Sequence, residues 1–371
     1  MKLESNQLAF LELLRAGLWE TKASLMRYYE VNYAEVLRLS EEQAVVGLIT
    51  AGIEHVGDVK LPQEAILQFV GQTLQLEQRN AAMNIFLGQM VARLRNAGIY
   101  TLLVKGQGVA QCYERPFWRT CGDIDFFLNE VNYQKAKDYL LPLSSTYDQE
   151  LHDERHLLMT INSWSVELHG NLPCHLSRKV DAFLQSIQEE TLDKRSVRSW
   201  DNNGVEILLP EVNNDIIFSF THILKHFFYG GIGLRQICDW CRLIWKFYDS
   251  IDIDLLKERL KIMGLRKEWE AFAYLAVNTL GMSETVMPLY TSSNSARKKS
   301  ELILKRVFET GNFGVNFDTS YQRDYPFLIR KAISWRRHTS GSAKLIMAFP
   351  KNSCIAWWKN MIWGVKEVVK K

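Results

Sequence analysis

No run of about 18 consecutive apolar residues occurs anywhere in the chain, so no segment is expected to cross a membrane as a helix. A signal-peptide layout is also missing. Met1-Lys2-Leu3-Glu4 does not form one, and the apolar stretch that follows is broken by Glu12 and Arg15. The 6 cysteines show no disulfide-framework spacing. Cys238 and Cys241 form a C-x-x-C, but no second pair and no His pair completes a zinc site. Beside Ile237, Trp240, Leu243 and Ile244 they read as two core-facing thiols on a helix. The chain is therefore expected to be cytoplasmic and reduced. A strong charge of either sign is absent too. Lys and Arg number 45 against 42 Asp and Glu, a formal net charge of +3, too small to argue for a nucleic-acid partner by itself. There is no internal repeat and no low-complexity segment.

What is present is ordinary globular material. Over 371 residues, 47% are hydrophobic and 23% charged, enough for a large core and for two or three packed units. The pattern is helical over residues 1–98. Leu8, Leu11, Leu14 and Leu18 recur at helical spacing, and residues 41–51 form a short candidate helix. After Pro62, a long helical run uses Ile66, Phe69, Val70, Leu74, Ala81, Ile85, Leu87 and Leu94, and stops at Gly98. Over residues 99–210 the period changes. Residues 99–104 suit a buried strand ending at Lys105-Gly106, and a short helix is expected over 107–114. A strand follows over 123–128, then a helix over 135–141. His156–Ile161 and Trp164–His169 are expected to pair across the two-residue connection Asn162-Ser163. Val205 to Leu209 makes a last extended segment. Residues 211–371 are helical again, with Asn213 or Asn214 as the expected cap of the first helix. The expected fold class is α+β: a small mixed β-sheet core flanked by N-terminal and C-terminal helical regions.

Asp123 and Asp125 carry the strongest chemical signal. A strand alternates faces, so both carboxylates project to one side, about 7 Å apart. Two like charges held together call for a cation between them. Magnesium, which favours hard oxygen ligands and bridges carboxylates to phosphates, is the natural one. Glu167, between Val166 and Leu168, faces away from its apolar neighbours and supplies a third acid. The sequence contains its own control in Asp252-Ile253-Asp254. That copy leads directly into the amphipathic helix of Leu255, Leu256, Leu260 and Met263, where Asp254 is expected to act as an N-cap.

Leu103-Val104-Lys105-Gly106, Tyr113, Arg119, Gly122-Asp123-Ile124-Asp125 and Val166-Glu167-Leu168-His169 occur in this order. So does the later stretch through Phe218, His222, His226, Leu234-Arg235 and Asp239. Together they resemble the nucleotidyltransferase superfamily of the DNA polymerase β type. Within it, they are similar to the bacterial branch described only as uncharacterised nucleotidyltransferase. The resemblance covers roughly residues 61–244. It implies an enzyme in which Asp123, Asp125 and Glu167 ligate one or two Mg2+ ions. The activity it implies is transfer of a nucleoside monophosphate from a nucleoside triphosphate to an acceptor, with release of pyrophosphate. Glu167 would also be placed to take up the acceptor's proton. Gly106 would let the backbone approach phosphate, helped by the N-terminus of the next helix. Gln107 stands where the superfamily usually has Ser or Gly and is expected, with Lys105, Gly106 and Arg119, to bind the nucleotide; the spacing from Gly106 to Asp123 is longer than in compact members. Lys105 and Arg119 would then assist with phosphate. Their plain alternatives are a solvated Lys and a surface Arg paired with Glu114.

His222 and His226 have helical i, i+4 spacing but lack the Glu of a zinc protease. They are expected to line the cleft or to serve the core. His169 shares a face with Glu167 and is the rim candidate, ahead of His156. Arg235 and Asp239 are expected to pair with each other. In the tail, Ile355, Trp358, Ile362, Val365 and Val369 form an apolar stripe, with Lys359, Lys366, Lys370 and Lys371 largely elsewhere. A terminal helix docked on the body is the expectation, and a weak membrane-surface contact is its rival. The acceptor is open among a protein, a sugar, a small alcohol and RNA. Two rival functions are an inactive nucleotide- or partner-binding module of the same fold, and a membrane-peripheral accessory protein.

Overall fold

The computed structural model describes residues 3–28, 30–150, 155–320 and 325–369, with side chains described up to residue 365. Three helices, α1 (Ser5–Trp19), α2 (Tyr33–Glu42) and α3 (Val46–Glu54), precede the long α4 (Gln63–Asn96). The α/β part contains β1 (Leu102–Val104), α5 (Gly106–Ala110), β2 (Asp123–Phe127), α6 (Glu130–Leu140) and β3 (Thr146–Tyr147). It continues with β4 (His156–Ile161), β5 (Trp164–His169), α7 (Arg178–Asp193), β6 (Val197–Asn202) and β7 (Val205–Pro210). Next come α8 (Val212–Tyr229), α9 (Leu234–Phe247), α10 (Ile253–Met263), α11 (Arg266–Asn278) and α12 (Asn294–Thr310). The helices Phe327–Ile346 and Pro350–Val369 end the described chain. This is the expected α+β architecture, a small mixed sheet flanked by helices.

The sheet order is β1-β2-β5-β4-β3, and only the β2–β5 pair is parallel. One face carries Ile124, Phe126, Val166, Leu168, Leu157 and Met159. It packs against Met83, Leu87, Met90 and Leu94 of α4. The other face carries the acids and is covered by α8. There, Phe127 meets Phe218 edge-on, ring centroids 6.1 Å apart. The connection at Asn162-Ser163 has φ of 48° and 67°, both left-handed, as a two-residue hairpin turn requires. Helices from both ends of the chain share one core, in which Phe10, Trp240, Trp269 and Phe272 are fully buried.

Several expectations need correction. The strand expected over 99–104 is shorter, and the helix expected over 107–114 closes after Ala110. α6 begins earlier than expected, because Asn129 caps it by accepting from Asn132 N–H. α8 is capped by Glu211 rather than by an Asn, and α10 by Asp252 rather than Asp254. In both cases the side chain nearest the last extended residue reaches the free N–H groups first. Ile66, Val70, Leu74 and Ile85 on α4 are exposed, whereas Phe69, Leu87 and Leu94 are buried. This helix is about 50 Å long and outruns the body that could cover both of its flanks. β7 is the expected last extended segment, whereas α7 and β6, its hairpin partner, are additional elements.

The last helix does dock, though not through the apolar stripe. Asn352 donates to Glu268 (2.7 Å), Ala356 is fully buried, and Trp363 packs against His175 and Tyr229. Lys359 lies 3.7 Å from Asp181, while Trp358, Ile362 and Val365 face outward. Lys370 and Lys371 fall outside the described residues, and so do the side chains of Lys366 and Val369. No helix among the described residues is long and apolar enough to cross a membrane.

Candidate active site

Pairing register assembles the site. In the parallel β2–β5 pair, Asp123 lies opposite Ser165, Asp125 opposite Glu167, and Phe127 opposite His169. The hairpin then sets His156 opposite His169. These residues alternate onto one face, so Asp123, Asp125, Glu167, His169 and His156 look the same way. From the other edge, β1 delivers Lys105. Its backbone is strained, with φ 59° and ψ −145°, a conformation non-glycine residues adopt only where the surroundings over-determine it. The next residue, Gly106, has φ +40°, and a Cβ there would sit 3.3 Å from the Asp123 carbonyl oxygen. A side chain at that position would therefore be both strained and pressed against β2.

The side chains form a connected polar network. Lys105 Nζ donates to Asp125 Oδ1 (3.1 Å), and His169 Nε2 lies 2.7 Å from the same oxygen. His169 Nε2 is also 3.2 Å from Glu167 Oε2, and His156 Nε2 is 3.1 Å from that oxygen. Charge crowding sets the acid strengths. Asp123 is raised to about 6, first by the neighbouring charge of Asp125, then by burial and Glu167. Burial pushes Asp125 up as well, but Lys105 and His169 outweigh it and hold the carboxyl below its ordinary range. Glu167 behaves alike: burial raises it, and His156 and His169 draw it well down. Asp123 is thus shifted up while Asp125 and Glu167 are shifted down. Asp125 and Glu167 have Lys105 or imidazole nitrogens within hydrogen-bond reach, whereas Asp123 has no such partner among the described residues.

The opposite wall comes from α8 and α9. His222 and His226 face into the same cavity of about 420 Å³, which is also lined by Lys105, the three acids, Arg235 and Phe313. Burial, with Lys105 nearby, keeps both imidazoles neutral. His226 is lowered to about 3 and His222 well below its ordinary value. Arg235 does not pair with Asp239 as expected. It donates to the Thr120 carbonyl (2.9 Å), and its Nε is buried without a hydrogen-bond partner among the described residues. Asp239 is taken by Arg119, which donates from Nε (3.0 Å) and Nη2 (2.6 Å), and by the Tyr113 hydroxyl (2.7 Å). Arg119 is accordingly buried and fork-paired, not a surface residue. Glu114 pairs with Arg242 instead.

Asp123, Asp125, Glu167, Lys105, Gly106, Arg119, His169, His222 and His226 thus border one cavity. Gln107 does not. It is buried beneath the site and donates to Asn80 Oδ1 (3.3 Å). α5 is only five residues long, so little helix dipole stands behind its N-terminus. Arg235 and His156 are the residues sequence reasoning underweighted. The two-residue turn already implied His156 opposite His169, whereas nothing local marked Arg235.

Candidate ligand atoms of Asp123, Asp125 and Glu167 lie within 4.8 Å of one another. An all-oxygen set with one acid raised by its neighbours suits a hard divalent cation. No curated protein and no solved structure matches the chain. The family described as "Uncharacterised nucleotidyltransferase" matches residues 29–281, more than half of the sequence and all of the acid cluster. The chain belongs to the uncharacterised nucleotidyltransferase family.

Proposed function

We propose that this nucleotidyltransferase moves a nucleoside monophosphate from a nucleoside triphosphate to an acceptor, with Mg2+ held by Asp123, Asp125 and Glu167. The observation that carries this reading is the cross-strand pairing of Asp125 with Glu167, with Asp123 on the same face. When bound, Mg2+ supplies charge neutralisation at the phosphates and lowers the pKa of a ligated attacking hydroxyl.

The chain's own groups account for binding and orientation. Lys105 and Arg235 bring two cationic side chains to the cavity that holds the acids, suited to the triphosphate. Arg119, locked to Asp239 and Tyr113, holds the loop before β2 and so positions Asp123 rather than touching phosphate itself. His169 fixes the orientation of Asp125, and His156 that of Glu167. His222 and His226, neutral and facing the acids, would line the acceptor side of the cavity beside the cationic Lys225 and Arg235. The acceptor's class, whether a protein, sugar, small alcohol or RNA hydroxyl, would be read from that side.

The test is pyrophosphate release from each of the four ribonucleotides with Mg2+ and a panel of such acceptors. Wild type should release pyrophosphate with at least one nucleotide, and Asp125→Asn should not, with an unchanged circular dichroism spectrum. Identical behaviour of the two proteins across the whole panel would remove turnover and favour an inactive binding module. Membrane contact is a separate reading, favoured by the outward Trp358, Ile362 and Val365. Co-sedimentation with anionic liposomes should weaken in Trp358→Glu, and unchanged sedimentation would exclude it.

A further inference from the structure

The carboxylates are not the only ligand-type groups on the acidic face. His156 and His169 are directly opposed across the β4–β5 pair, with ring centroids 4.9 Å apart and planes tilted by 34°. Both Nε2 atoms converge on one oxygen, Glu167 Oε2, at 3.1 and 3.2 Å, and His169 Nε2 also lies 2.7 Å from Asp125 Oδ1; binding of a metal at these nitrogens would replace the hydrogen bonds to both carboxylates. Three donors on a common divalent ion at about 2.1 Å stand roughly 3.0–3.4 Å apart, depending on whether the geometry is octahedral or tetrahedral. The two nitrogen-to-oxygen separations fall in that window, and the candidate ligand atoms of all three residues lie within 4.8 Å of one another. Asn171, two residues beyond His169, lines the same cavity with its Oδ1 buried and without a hydrogen-bond partner among the described residues. That oxygen lacks a donor of the kind that a metal-bound water supplies.

We propose that His156, Glu167 and His169 form a second metal site, selective for a borderline divalent ion such as Zn2+, which shares Glu167 with the all-carboxylate site. Two imidazoles and one carboxylate suit Zn2+ far better than Mg2+, whereas Asp123 and Asp125 offer only hard oxygens. The face would then sort two different ions by donor chemistry, with Glu167 as the bridge. Three protein ligands leave at least one position open toward the cavity, where an oxygen of a bound molecule can enter. The assignment goes beyond the transfer reading and does not depend on turnover.

Metal-stripped full-length protein is titrated with Zn2+ by calorimetry in a large excess of Mg2+, and with Co2+ by visible absorption. Wild type should take up one equivalent of Zn2+ despite the Mg2+, with Co2+ bands that report nitrogen ligation. His156→Ala should weaken Zn2+ binding at least tenfold and lose those bands. His156→Gln, which keeps a hydrogen-bond donor for Glu167 but removes the imidazole ligand, should fall with it. Asp123→Asn should keep Zn2+ affinity within about threefold, since it removes a ligand of the carboxylate site alone. Thermal midpoints of all four proteins show that each is folded. Equal Zn2+ affinity in wild type and the folded His156 variants overturns the assignment. So does an absence of Zn2+ uptake that survives Mg2+, because the imidazoles are then only hydrogen-bond partners of Glu167.

Discussion

The tripeptide Asp-Ile-Asp occurs twice in this chain, and the two copies have nothing in common but spelling. At Asp123-Ile124-Asp125 it lies in a strand, with both carboxylates on one face and Ile124 on the other, in the core. Neighbours on both sides answer those acids: Lys105 at the end of β1, and Glu167 and His169 on β5. At Asp252-Ile253-Asp254 the chain turns helical at the isoleucine. The Asp252 carboxylate is taken by the Leu255 N–H (2.9 Å), and Asp254 stands exposed in the first turn. The lesson is that two acids two residues apart become a candidate metal site only when other strands bring partners to the same face. Within a helix start, the backbone uses them instead.

Breaking the first copy should have the largest effect. Asp125→Asn is expected to lower nucleotide transfer by about a thousandfold or more, equivalent to roughly 4 kcal/mol of barrier. The readout is pyrophosphate release in protein whose thermal midpoint stays close to wild type. Asp239, an acid on the same cavity whose carboxylate is already taken by Arg119, sharpens the contrast next. Asp239→Ala leaves a buried guanidinium without its carboxylate and should destabilise the fold by about 3–5 kcal/mol in urea unfolding. A loss below 1 kcal/mol would mean that Arg119 is not held there by charge.

The wall opposite the acids gives a pH test. His226 is lowered from 6.5 to about 3 by burial and by Lys105, Lys225 and Arg235, with Glu167 opposing and His222 alongside. The unfolded chain therefore takes up a proton that the folded state refuses. The resulting stability is fully present above about pH 6.5 and lost as the pH falls toward 3. His226→Gln should flatten this part of the fall in thermal midpoint below pH 6.5. Parallel curves for the two proteins would show that the imidazole is already solvated. The smallest effect belongs to the second copy. Asp252→Ala removes one cap, is expected to destabilise by about 1 kcal/mol, and should leave transfer untouched.

The acids and the hairpin were legible because their signals are local. Alternation sets the facing of Asp123 and Asp125, and Asn162-Ser163 fixes the register that turns Glu167 and His156 toward them. The parallel pairing of β2 with β5 is not written locally, since it joins segments separated by α6, β3 and β4. Arg235 was misassigned for the same reason: its helical neighbour Asp239 is claimed by Arg119, 120 residues away in sequence. The β6–β7 hairpin carried a readable sign in Asn203-Gly204, both at positive φ, yet the charged strand before it hid the alternation. On α4, periodicity named apolar residues correctly but not which of them would be covered, because burial depends on where the body ends.

The β2–β5 pairing has one more consequence, for the order in which the protein is made. During synthesis Asp123 and Asp125 emerge as solvated acids, and remain so until β5 has emerged and docked beside β2. Such a parallel, non-local pairing forms slowly. Repulsion between Asp125 and Glu167 works against the final alignment, and a divalent ion held at the proposed site, binding only the finished face, would relieve it. Ion concentration would then act on the folding equilibrium by mass action, so a cell's supply of the metal would influence how much folded protein it holds.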